Sequence, residues 1–193
     1  MKRIFFHYWL LLVLVCFPVA VVFAAGENYT LDPMHTAVVW HINHFGFSNP
    51  SGKWMASGNL VLDAAQPNNS KVDAVIQLND IVTGIPELDN HLRGPLFFDV
   101  KKFPTAKFVS DKVEKTGKVT ALVYGTLTLH GISKPVKLLV MLNKIGKNPV
   151  SDKDSVGFTA VTKIKRSDFG IVAYLPGLSD EVTINIDAEA YKQ

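Results

Sequence analysis

The sequence predicts an all-β fold, an extended eight-stranded antiparallel β-barrel with one short helix near residues 86 to 93. Three observations carry this. Apolar and polar residues alternate with period two from Tyr29 onward, turn-forming residues recur between the alternating runs, and helical punctuation occurs at one place only. The clearest alternation is "EVTINIDAEAY", where Val182, Ile184, Ile186, Ala188 and Ala190 interleave with Glu181, Thr183, Asn185, Asp187 and Glu189. One face of such a strand is dry and the other wet.

The same pattern runs through "KVDAVIQLN", with Val72, Ala74, Ile76 and Leu78 on one side. From Val119 to Leu129 the odd positions are apolar, interrupted by Gly125, which marks a bend in the sheet. Further strands are expected at 36 to 43, 53 to 63, 105 to 114, 134 to 145 and 155 to 165, separated by "KTGK", "HGISK" and "KNPVSDKD". Consecutive antiparallel strands with one apolar face either stack as two sheets or close on themselves. Strands of about nine to eleven residues favour closure over the sandwich, and a barrel of about eight long strands has room for one small apolar ligand.

Ahead of these strands stands a leader. Lys2 and Arg3 precede an apolar run from Tyr8 to Val22, Ala24 and Ala25 follow, and no acid occurs before Glu27. This predicts a signal peptide over residues 1 to 24, cleaved after Ala24, and one exported domain over 25 to 193. An uncleaved anchor is the alternative, disfavoured by Pro18 inside the run. Cys16 lies in the leader, so the mature chain would have no cysteine, which excludes disulfides, thiol chemistry and Cys-based metal sites. Losing two of the 20 basic residues and none of the 17 acids leaves 18 against 17. A balance so close to neutral, with scattered lysines, gives no electrostatic case for nucleic acid.

The helix is delimited by Pro86 at its first position, with Gly94 as a left-handed exit and Pro95 beyond it. At about 100° per residue Leu88, His91 and Leu92 share one face, and Asp89 and Arg93 form an (i, i+4) ion pair on another. The acid, imidazole and guanidinium of "LDNHLRG" are thereby split. No serine lies between Ser70 and Ser110 to act as a nucleophile beside them. "LFFDVKKFP" then brings Leu96, Phe97, Phe98 and Phe103 together, rings that either belong to the core or close one end of the barrel.

Five histidines remain outside the leader, three of them in "HTAVVWHINH". On a regular strand His35 and His41 are about 20 Å apart and His44 faces the other way, so no metal site is expected.

The motifs "YTLDPMHTAVVWHINHFGFS", "GKW", "DIVTGIPELDNHLRGPLFFDVKKFPTAKF", "GTLTLHGISKPVKL" and "RSDFGI", in this order, resemble the YceI-like family of bacterial periplasmic proteins. The resemblance spans essentially the whole chain after the leader. It departs at Thr36, where a serine is common, and at Pro86 and Glu87, where polar or basic residues often precede the aspartate. It implies a lipocalin-like barrel whose pore holds a long isoprenoid, a polyprenyl phosphate or a quinone, in the periplasm, with no further cofactor and no catalysis. An enzyme or redox accessory acting on a quinone-like molecule is the alternative. The expected ligand contacts are His35, His91, Leu92, Phe97, Phe98, Arg166, Phe169 and Tyr174. The apolar loop "RSDFGIVAYLPGLSDE" is expected to fold over the pore or to pack on a neighbour, which makes transient membrane contact and a homodimer further expectations.

Overall fold

The computed structural model describes residues 26–193, so the predicted leader lies outside the described residues. Nine strands form among the described residues: β1 (Glu27–Leu31), β2 (Ala37–His44), β3 (Ser51–Leu62), β4 (Lys71–Gln77), β5 (Thr105–Lys115), β6 (Thr120–Leu129), β7 (Ile132–Lys147), β8 (Asp154–Lys165) and β9 (Leu178–Lys192). The single α-helix among the described residues, α1, is Pro86–Arg93, the predicted range.

The nine strands fill eight positions. Both β1 and β2 lie between β3 and β9: Tyr29 pairs with Leu60 and Lys192, whereas Val38 pairs with Trp54 and Ile186. They are halves of one strand position, interrupted over residues 32 to 36. The interruption is held by the Asp32 N–H and the Thr36 hydroxyl, which both donate to the Glu189 carbonyl, at 2.8 and 3.0 Å. The remaining strands follow in antiparallel succession, and pairing of β3 with β4 closes the barrel. Closure removes the exposed sheet edge that an open β-layer would carry.

Strands β7 and β9, of 16 and 15 residues, are longer than the alternation predicted. Bulges let such strands follow the curve of the wall. In β5 one falls between Ser110 and Lys112, so the inward row runs Ala106, Phe108 and then Val113. In β7 one falls between Leu142 and Lys144, and Ile145 takes the next inward place. The bend expected at Gly125 is a close approach. A Cβ there would come within 2.6 Å of the Phe108 ring, which lies across β6 at that point.

One end of the barrel, the α1 end, is covered by residues 78 to 104, the β2–β3 hairpin tip and the segment 166 to 177. Leu78, Ile81, Leu92 and Phe97 of the cover pack with Trp40, Ile42 and Trp54 of the wall. Each large apolar side chain so buried contributes about 1.5–3 kcal/mol.

Two local expectations are corrected. Asp89 and Arg93 form no ion pair, because each is used on the cover's backbone. Asp89 Oδ1 accepts the Thr83 N–H at 2.8 Å and its hydroxyl at 2.6 Å, and Arg93 donates to the carbonyls of Asn79 at 2.7 Å and Ile81 at 3.1 Å. The Thr83 hydroxyl above all holds the Asp89 carboxyl below its ordinary range. Gly94 leaves the helix in an extended conformation, φ −73°, and not the left-handed one, and its N–H donates to the His91 carbonyl.

Candidate ligand-binding site

The inward residues line a pore of two adjoining compartments. The one at the α1 end has a volume of about 550 Å³ and the other about 360 Å³, and Val38, Ile76, Ala106, Leu127 and Ile184 line both. These volumes are in the range of ligand pockets in general. No Asp or Glu side chain belongs to either lining among the described residues. The far compartment is walled by Leu60, Val72, Leu138, Val140 and Phe158, and lysines 71, 115 and 118 stand at its mouth.

The α1-end compartment is aromatic. Phe98 meets the Trp54 ring edge-on with centroids 5.2 Å apart, and His91 meets Phe97 likewise at 5.1 Å. Tyr174 lies 6.2 Å from Phe97 and 6.3 Å from His91, so these three rings flank the mouth between α1 and the loop before β9. The Trp54 indole donates to the Leu78 carbonyl at 3.2 Å, which fixes the cover to the wall.

Of the predicted contacts, His91, Leu92, Phe97, Phe98, Arg166 and Tyr174 line this compartment. His35 and Phe169 line neither. The His35 side chain is 59% exposed on the β1–β2 connection and pairs with Asp32 at 2.8 Å, which raises the imidazole's pKa by the hydrogen bond first and by charge second. Phe169 is 1% exposed and belongs to the core, its carbonyl 3.0 Å from His130 Nδ1.

Arg166 is 4% exposed, and each of its three nitrogens donates to the protein, using three of the five N–H groups. Nε donates to the Ser179 carbonyl at 2.8 Å, Nη1 to Ile171 at 2.9 Å and Nη2 to Leu178 at 2.8 Å. Burial lowers its pKa, opposed by the charge of Asp180. Burial pushes the Asp180 carboxyl up, but the N–H and hydroxyl of Ser167 together with the charges of Arg166 and Lys165 more than offset this, and its pKa lies below the ordinary value. Arg166 thus ties the turn after β8 to the start of β9.

Trp40 is the site residue that the sequence reading passed over. Its ring lies against Gly52 of β3, where a Cβ would approach within 2.6 Å, and its Nε1 is the one buried side-chain nitrogen or oxygen without a partner among the described residues. Parity carried the signal, since Val38, Trp40 and Ile42 form the apolar row of β2 and all three line the pore. His41, on the alternate row, lines neither compartment.

The model of the YceI-like domain family matches residues 29–190. The chain belongs to the YceI-like family. A UPF0312 protein of Pseudomonas putida (strain W619) is similar to this YceI-like chain at 37% identity over 174 residues, covering 88% of the chain and 89% of the relative. The crystal structure of the Campylobacter jejuni YCEI protein superposes with a TM-score of 0.69 at 32% identity, covering 78% of this chain and 90% of that one. A polyisoprenoid binding domain from Saccharophagus degradans, implicated in plant cell wall breakdown, superposes with a TM-score of 0.66, covering 86% of this chain and 99% of that one. At 18% identity the last likeness is one of fold.

Proposed function

We propose that this protein binds a long isoprenoid lipid in the pore and carries it through the periplasm, with no chemistry of its own. The observation that supports this most is the adjoining pair of apolar compartments, with shared lining residues and no acid. A flexible hydrocarbon tail requires such a lining, and a polar metabolite would be left unsatisfied by it. Burying about 400 Å² of tail at about 25 cal/mol per Å² supplies about 10 kcal/mol against the ordering cost. Family membership and the Saccharophagus degradans polyisoprenoid binding domain agree with this ligand class.

The head group belongs at the α1 end, and a neutral quinone fits there better than a phosphate. No lysine lines that compartment, and the three guanidinium nitrogens of Arg166 already donate to backbone carbonyls. Periplasmic residence rests on the basic and apolar leader.

Organic extraction of purified protein followed by mass spectrometry tests the proposal. A long-chain isoprenoid at one per protein is expected, with a quinone head. A protein that yields no lipid and shows no affinity for added isoprenoids overturns it.

A further inference from the structure

We infer that the α1 end of the barrel is the face that this protein lays on a lipid bilayer, with the β2–β3 hairpin tip as its wedge. The inference rests on the reading of the pore as an isoprenoid site. It adds where, and by which side chains, the lipid passes between membrane and protein.

Large apolar side chains stand in water around this mouth. Phe47, at the hairpin tip, is 90% exposed, and Phe45, Leu96, Val172 and Tyr174 are each about half exposed. They form one rim. The Phe45 N–H donates to the Gly177 carbonyl at 3.0 Å, joining the hairpin to the loop that carries Val172 and Tyr174. Tyr174 reaches Phe97, next in sequence to Leu96, at 6.2 Å. Contiguous exposure of this kind marks an interaction surface, and aromatic rings suit the boundary between water and acyl chains.

The rim and the pore share side chains, which identifies the occupant. Phe45, Tyr174 and Phe97 line the α1-end compartment from within. A tail leaving a bilayer against this rim would pass from hydrocarbon to aromatic wall without crossing water, where its exposure is most costly. The opposite mouth has no aromatic rim. Val119 and Ile145 are exposed there and line the far compartment, Val150 stands in a turn held by the Asn148 side chain, and lysines 71, 115 and 118 surround the opening with strongly hydrated charge.

Co-sedimentation of the purified protein with phosphatidylethanolamine and phosphatidylglycerol vesicles provides the test. The native protein should sediment with them. The double variant Phe47→Ser, Leu96→Ser should bind at least about tenfold more weakly and transfer a long-chain isoprenoid quinone between vesicles correspondingly slowly. Its affinity for that quinone delivered from detergent should stay within about twofold. A control at the other mouth, Lys118→Gln with Val150→Ser, should leave vesicle binding unchanged. The inference is overturned if the native protein ignores vesicles, if only the control loses binding, or if the rim variant dissociates a dimer without changing vesicle binding. Quinone delivered from detergent separates the two readings: its failure to bind sinks the pore as an isoprenoid site, and vesicle binding still decides the docking face.

Discussion

The indole of Trp40 lies against Gly52 on the neighbouring strand, so closely that a Cβ on Gly52 would stand 2.6 Å from ring atom Cζ2 and 2.9 Å from Nε1. The two residues are direct register partners between β2 and β3. Gly52 is therefore the space that the ring occupies. Gly52→Ala should displace Trp40 into the α1-end compartment and destabilise the protein by about 1–3 kcal/mol. Denaturant unfolding gives the loss, and near-ultraviolet circular dichroism should show the tryptophan environment changing.

Arg166 makes a contrasting case, because its polar atoms are satisfied and those it satisfies are backbone. Arg166→Met keeps much of the buried stem and leaves the carbonyls of Ile171, Leu178 and Ser179 without these donors. At about 1–3 kcal/mol for each unsatisfied buried group, a loss of at least about 3 kcal/mol is expected in chemical denaturation. Isoprenoid affinity measured well below the unfolding midpoint should change much less. A direct head-group role would reverse this order.

Most of the barrel was legible because alternation reports burial directly, and Pro86, Gly94 and Pro95 delimit a helix by local sterics. What escaped depends on distant partners. The break between β1 and β2 is made by the Glu189 carbonyl, 153 residues along the chain from Thr36, and nothing near Asp32 announces it. The bulge at Ser110 reverses the parity of β5, and its mark in the sequence is Gly125 on the neighbouring strand, the register partner of Ser110. Asp89 and Arg93 have the spacing of an ion pair, yet backbone groups of the 79 to 83 segment compete for both and win. In the candidate site, the rings that follow α1 and line the cavity stand out in the sequence because they are aromatic where a loop should be polar. His35 lines neither compartment because its loop lies on the barrel's side, and Trp40 carries only the parity of its strand as a signal, with no polar neighbour on the same row before His44.

The Asp89–Thr83 contact gives a pH dependence of known sign. The carboxyl's folded pKa is lowered, chiefly by the Thr83 hydroxyl. Its contribution is present above the unfolded value of about 4 and is lost as pH falls through the folded value. Amide exchange at Thr83 should therefore quicken relative to its neighbours below about pH 4. Asp89→Asn should show the faster exchange at neutral pH and little further change on acidification. An identical profile in the variant would show that the carboxylate does not hold this segment.

Ala106 lines both compartments, is buried and pairs with Ile76, another residue of both linings. A larger side chain here narrows the passage between them and leaves the α1-end mouth open. Ala106→Phe should keep affinity for an isoprenoid of about two or three units, which the compartment of about 550 Å³ can hold alone. It should weaken a chain of about eight units by about 3 kcal/mol or more, on the order of 100-fold, since over 100 Å² of tail would lose its place. Displacement titrations with a short and a long isoprenoid of the same head group measure the difference directly. Equal weakening of both would mean that the ring perturbs the mouth, and no weakening of either would mean that the tail does not thread past Ala106.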